Sequence, residues 1–83
     1  MARIYWAAPV WDLVMSDLLS SERDVILEKV LLLEVFPRMY AIRRKARTFR
    51  RHRSFVAGNW RVYYRVIEED VYIRGLWPAR MKP

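Results

Sequence analysis

The dipeptide Gly58-Asn59 stands between two runs of strand-forming residues, and it limits the fold more tightly than any other feature of the chain. Glycine, lacking a Cβ, reaches the positive φ that a two-residue hairpin turn demands. After it, Trp60 to Ile67 alternates strictly: Trp60, Val62, Tyr64 and Val66 share one face, and Arg61, Tyr63, Arg65 and Ile67 the other. Before it, Arg50 to Ala57 supplies the partner strand. A turn at these two residues pairs Ala57 with Trp60, Phe55 with Val62 and Arg53 with Tyr64 on the first face. It pairs Val56 with Arg61, Ser54 with Tyr63 and His52 with Arg65 on the second. Trp60, Val62 and Val66 read as core.

The flanking elements follow from similar signals. Ile4, Tyr5 and Trp6 within residues 3–7 predict a short first strand ending before Pro9. Pro9 suits a first helical turn, and Val10, Leu13, Val14 and Leu18 recur at helical spacing to about Leu19. Ser21 with Asp24 three residues on resembles a capping box, and Ile26, Val30 and Leu33 mark a second helix that runs to Phe36 and stops at Pro37. Residues 38–48 are basic and irregular. Glu68-Glu69-Asp70 makes a solvated turn, and Val71 to Trp77 a last strand closed by Pro78. The expected fold is α+β in the order β-α-α-β-β-β, one domain over residues 1–83: an antiparallel sheet with an N-terminal helical hairpin on one face and the other face open.

Charge is distributed unevenly. Residues 35–67 carry ten bases and no acid, nine of the ten being arginine, whereas residues 1–34 carry three bases against six acids. Such a window repels itself unless an external anion is supplied, and arginine grips phosphate or carboxylate with two donors at once. The expected partner is acidic, RNA foremost. Arg44, Lys45, Arg47, Arg50, Arg51, Arg53 and Arg65 are the candidate phosphate contacts, and Tyr63 is the candidate for stacking on an unpaired base. His52, the lone histidine, has the side chain whose ordinary pKa suits proton transfer at neutral pH, and Arg61 beside it suits stabilisation of a phosphorane-like charge.

Other chemistries find little purchase. The chain has no cysteine, so it offers no disulfide, thiolate nucleophile or sulfur-ligated metal. Glu68, Glu69 and Asp70 lack histidine companions at ligand spacing, so neither metal nor other cofactor is expected. Val30 to Phe36, the longest apolar stretch, is broken by Glu34 and falls short of the ~18–20 residues of a membrane helix. The N-terminal apolar patch is too short for a signal peptide. A cytoplasmic protein without membrane contact is the expectation.

The segment FVAGNWRVYYRVIEEDVYIRGLWPARM resembles the C-terminal hairpins of the RelE/ParE superfamily of type II toxin–antitoxin toxins, and EKVLLLEVFPRMY resembles the end of that family's second helix. The similarity extends over nearly the whole chain, including its element order. It implies a toxin neutralised by an acidic antitoxin. RelE-type members cut mRNA in the ribosomal A site without metal, whereas ParE-type members poison DNA gyrase. By this resemblance Arg61 matches the active-site arginine after the hairpin turn, Arg80 a basic residue after the last strand, and His52 and Ser54 two positions that are lysines in RelE-type members. Ala79 to Pro83 holds no tyrosine where RelE-type members place one. The expected activity is a ribosome-dependent endoribonuclease with catalytic Arg61, His52 and Arg80; gyrase poisoning and simple RNA binding are the alternatives.

Overall fold

The computed structural model describes residues 1–44 and 47–81. The strands are β1 (Ile4–Trp6), β2 (Arg53–Ala57), β3 (Trp60–Ile67) and β4 (Asp70–Pro78), and the helices are α1 (Ala8–Asp12) and α2 (Ser20–Leu32), in the expected order. The sheet runs β1-β4-β3-β2.

The hairpin register is the predicted one from Ala57–Trp60 to Arg53–Tyr64, and Gly58 takes the positive φ of 60° that the turn requires. β2 begins three residues later than expected, leaving His52 just before it. The next turn is shorter than expected. Ile67 pairs with Asp70 across Glu68-Glu69, with Glu68 in the left-handed region at φ 57°. Between Tyr63–Gly75 and Tyr64–Ile73 the register shifts, which leaves Arg74 unpaired as a bulge.

Only β1 departs from antiparallel order. It pairs parallel to β4, Ile4 with Val71 and Trp6 with Ile73, so the sheet is mixed at this one edge. The helical segment between β1 and the hairpins is the kind of long crossover that lets an edge strand enter parallel. At the opposite edge an isolated bridge joins Ile42 to Arg53, and the amide of Ser54 donates to the Ala41 carbonyl, so residues 41–43 cover the rim of β2.

The first helix is shorter than its apolar spacing predicts. Past Asp12 it widens into a π-helical segment, Leu13–Asp17, where the Leu18 amide reaches back to the Leu13 carbonyl at 3.2 Å. The cap of α2 also differs from the predicted Ser21–Asp24 pair. Leu19 occupies the cap position, and its amide donates to Glu22 Oε1 at 3.2 Å. Glu22 is drawn to this role because its other oxygen, Oε2, accepts the Trp60 indole N–H at 2.9 Å. One carboxylate thus caps the helix and ties it to β3. Trp60→Phe removes that donor and is expected to cost about 1–2 kcal/mol in urea unfolding. A loss near zero would mean that the Glu22 bridge contributes nothing.

α2 ends at Leu32, four residues before the expected stop. The chain then tightens through amides of Leu33, Glu34 and Val35 that each reach back three residues. Ile26, Val30 and Leu33 pack with Val14 against Phe55, Val62, Tyr64, Val71 and Ile73 on one sheet face, which is the core. Lys29 Nζ donates to the Val56 carbonyl at 2.7 Å, fastening the helix to the sheet.

Candidate functional site

The sheet face opposite the helices carries Ser54, Arg61, Tyr63 and Arg65, as the alternation requires, with Tyr72 opposite Arg65 and Trp77 opposite Arg61. It is not open throughout. The turn 47–52 folds over it, and Phe49 lies flat on Tyr63, ring centroids 4.5 Å apart at 17°. Gly75 makes this possible, because any Cβ there would run into the Phe49 ring. Tyr63 is 0% exposed, so its ring presents no free face, and the expected role in base stacking is withdrawn.

Arg61 is partly buried, and its Nη1 donates to Ser54 Oγ at 3.0 Å. Burial, and next the charge of Arg43, lower its pKa from the ordinary arginine value, with the Tyr63 phenol acting in the other direction. A guanidinium still keeps its proton at neutral pH. Two fixed positive charges therefore sit within mutual range.

His52 places its ring edge-on to Phe49 at 5.5 Å, and Nδ1 lies 2.9 Å from the Arg50 carbonyl. A carbonyl only accepts, so Nδ1 is the donor in this contact.

The remaining predicted contacts divide. Arg44, Arg47, Arg50, Arg51 and Arg65 are exposed, Arg51 at a left-handed φ of 63° in the turn that carries Phe49. Lys45 lies outside the described residues. Arg53 belongs to the helix-side face, where its Nη1 donates to the carbonyls of Tyr40 at 2.8 Å and Arg38 at 3.3 Å. It is a fastener of the 38–40 segment, and its assignment as a phosphate contact is corrected. Arg80 is exposed beyond β4 beside the hairpin turn, held there by the Ala79 amide on the Asn59 carbonyl at 2.9 Å. Arg61 and Arg80 thus share one end of the sheet, with His52 and Arg65 farther along.

Three side chains of this face escaped the sequence reading: Arg43, Phe49 and Trp77. The glycine inside β4 was the available sign of Phe49, since a strand glycine marks a close approach. Among the described residues the one ion pair is Arg23–Asp24 at 3.8 Å, on α2, so no carboxylate among them is paired with the outer arginines.

A family model described as the ParE toxin of the type II toxin–antitoxin system, parDE, matches residues 23–83, from α2 to the end of the chain. The chain belongs to the ParE toxin family. It is therefore the toxin of a toxin–antitoxin module, and an antitoxin is its partner. Neither the search of curated proteins nor that of solved structures gave a match. This ParE-family toxin carries exposed Arg47, Arg50 and Arg51 on the turn over the sheet, Arg65 on β3 and Arg74 on β4. No helix among the described residues is long and apolar enough to cross a membrane.

Proposed function

We propose that this ParE-family toxin acts by binding, as a poison of DNA gyrase, and that its cationic outer face makes the inhibitory contact. The observation that carries this reading is the state of the groups a metal-free ribonuclease would need. Such an enzyme wants a proton acceptor and a proton donor on either side of a phosphate. Here Tyr63 lies under Phe49, and Ser54 Oγ already accepts from Arg61. That leaves cations and one imidazole, which suit attraction and positioning better than acid–base turnover. The parDE description of the matching family supports the same choice.

The antitoxin then neutralises the toxin by laying an acidic segment over these arginines. The end of α2 adds exposed Leu31, Leu32, Val35, Phe36 and Met39, an apolar stretch of the sort that partners cover.

A second reading, ribosome-dependent mRNA cleavage with Arg61, His52 and Arg80 as catalytic groups, is favoured by the His52 imidazole, which stands beside Phe49 on the turn that covers the same sheet face. Purified toxin separates the two. Gyrase supercoiling should fall and DNA breaks accumulate while mRNA in a cell-free translation reaction stays whole. Arg61→Ala should weaken inhibition about 10- to 100-fold, the range of a lost charge-assisted contact. Cut mRNA with gyrase unaffected would replace the proposal with the second reading.

A further inference from the structure

The turn 47–52 is fastened to the sheet by one side chain. Among the described residues no hydrogen bond joins residues 47–51 to β3 or β4. The turn's own bonds are internal: the His52 amide donates to the Phe49 carbonyl at 3.2 Å, and His52 Nδ1 to the Arg50 carbonyl at 2.9 Å. What crosses to the sheet is the Phe49 ring, flat on Tyr63 and seated over Gly75.

Three features oppose this closed position. Arg51 holds a left-handed φ of 63°, which a residue with a Cβ resists. The Tyr63 hydroxyl is buried with no hydrogen-bond partner among the described residues, and lifting the turn would hand it to solvent. Arg47, Arg50 and Arg51 gather over a face that already holds Arg61 and Arg65, and no carboxylate among the described residues is paired with them. A single aromatic contact therefore works against backbone strain, an unmet donor and like charge. Segments with few apolar contacts are the ones that open before the rest of a fold.

We infer that residues 47–51 form a lid bolted by Phe49, and that the closed lid is autoinhibitory because it covers Tyr63, the neighbour of Arg61 on the outer side of β3. His52 is the fixed end, since its carbonyl accepts the Arg43 amide at 3.1 Å and keeps it at the rim of β2. Arg51 is the hinge beside it, free to leave the left-handed region as the lid lifts. The inference rests on the reading that the outer face makes the inhibitory contact. A target that needs this face uncovered binds only the open fraction of the toxin, and its apparent affinity falls by that fraction.

Two adjacent tyrosines supply the test. Tyr63 and Tyr64 are both 0% exposed, yet Tyr63 lies under the lid and Tyr64 in the core, while Tyr5 is 42% exposed and reports free access. Nitration of the folded toxin by tetranitromethane, mapped by fragment mass spectrometry, should modify Tyr5 first, Tyr63 next and Tyr64 last. Tyr63 should lead Tyr64 by about tenfold or more. Phe49→Ala removes the bolt and Gly75→Ala denies it a seat. Each should bring Tyr63 toward the Tyr5 rate while Tyr64 stays protected. Induced in cells, both variants should arrest growth at about a tenfold lower amount of toxin than the wild type. Lost stability would act in the opposite direction, so misfolding cannot imitate that gain. Equal rates for Tyr63 and Tyr64 in the wild type would overturn the lid, since only global unfolding would then uncover Tyr63. A freed Tyr63 with unchanged or weaker growth arrest would overturn the autoinhibition. Nitration needs no target and growth arrest names none. Stronger arrest by the open variants with gyrase supercoiling intact would thus remove the poison reading and leave the lid standing.

Discussion

Phe55→Ala lowers the unfolding free energy by about 3–5 kcal/mol, the usual cost of emptying a buried phenylalanine site. The residue is 3% exposed, stacked on Tyr40 at 4.8 Å and tilted against Tyr64 at 6.2 Å. It lies where the loop before β2 meets the core, so truncation leaves a void and also loosens Tyr40. Tyr40 matters to the face beyond, because its carbonyl is the closer acceptor for Arg53. A folded chain of 83 residues has roughly 4–12 kcal/mol of stability to lose. Urea unfolding should therefore show a midpoint near or below zero denaturant for the least stable estimate and a large shift in any case. A loss under about 1 kcal/mol would mean that this aromatic trio is not the joint between loop and core.

Gly75→Val expels Phe49 from the sheet. An added Cβ meets Cζ, Cε1 and Cε2 of that ring, the last at 2.8 Å, and the ring lies against Tyr63 with little space to yield. Overpacking of this kind costs about 1–3 kcal/mol. The more telling result is local: the turn 47–52 should detach, and trypsin should cut after Arg47, Arg50 or Arg51 many times faster than in the wild type. Adding Phe49→Ala should remove most of the further cost of Gly75→Val, since the two changes act on one contact. Full additivity would show that Phe49 and Gly75 do not meet in solution.

The hairpin of β2 and β3 could be read from the sequence residue by residue, because its turn chemistry and its alternation are both local. From it came the correct face for Arg61, Tyr63 and Arg65. Alternation assigns a face but does not say what lies on it, and for that reason Tyr63 was expected to be open when Phe49 covers it. Phe49 sits in a segment with no periodicity, and its contact with Gly75 spans two strands of sheet. The parallel pairing of β1 was hidden for a similar reason, its partner being supplied by the far end of the chain. The cap of α2 went to Leu19 through a carboxylate that also serves Trp60, a tertiary demand that overrode the Ser21–Asp24 signal. Arg53 shows the converse case: its face was legible, and its use as a donor to the 38–40 carbonyls was not, since backbone acceptors leave no mark in a sequence. Arg43 and Trp77 were missed because each is a neighbour of Arg61 only across a strand boundary, one at an irregular rim and the other beyond a bulge.

The pairing of β1 with β4 bears on how the molecule comes into being. The Arg3 amide donates to Asp70 Oδ1, 67 residues away, and the Val71 amide to the Arg3 carbonyl. The first strand thus waits for the last, and closing so long a loop brings no reward until both ends exist. A nascent chain holding everything up to the β2–β3 hairpin still has an unfilled place between β3 and its N-terminal strand. The sheet is closed only once β4 has taken its place between β1 and β3, so the toxin's core face and its outer arginine face become complete in the same step.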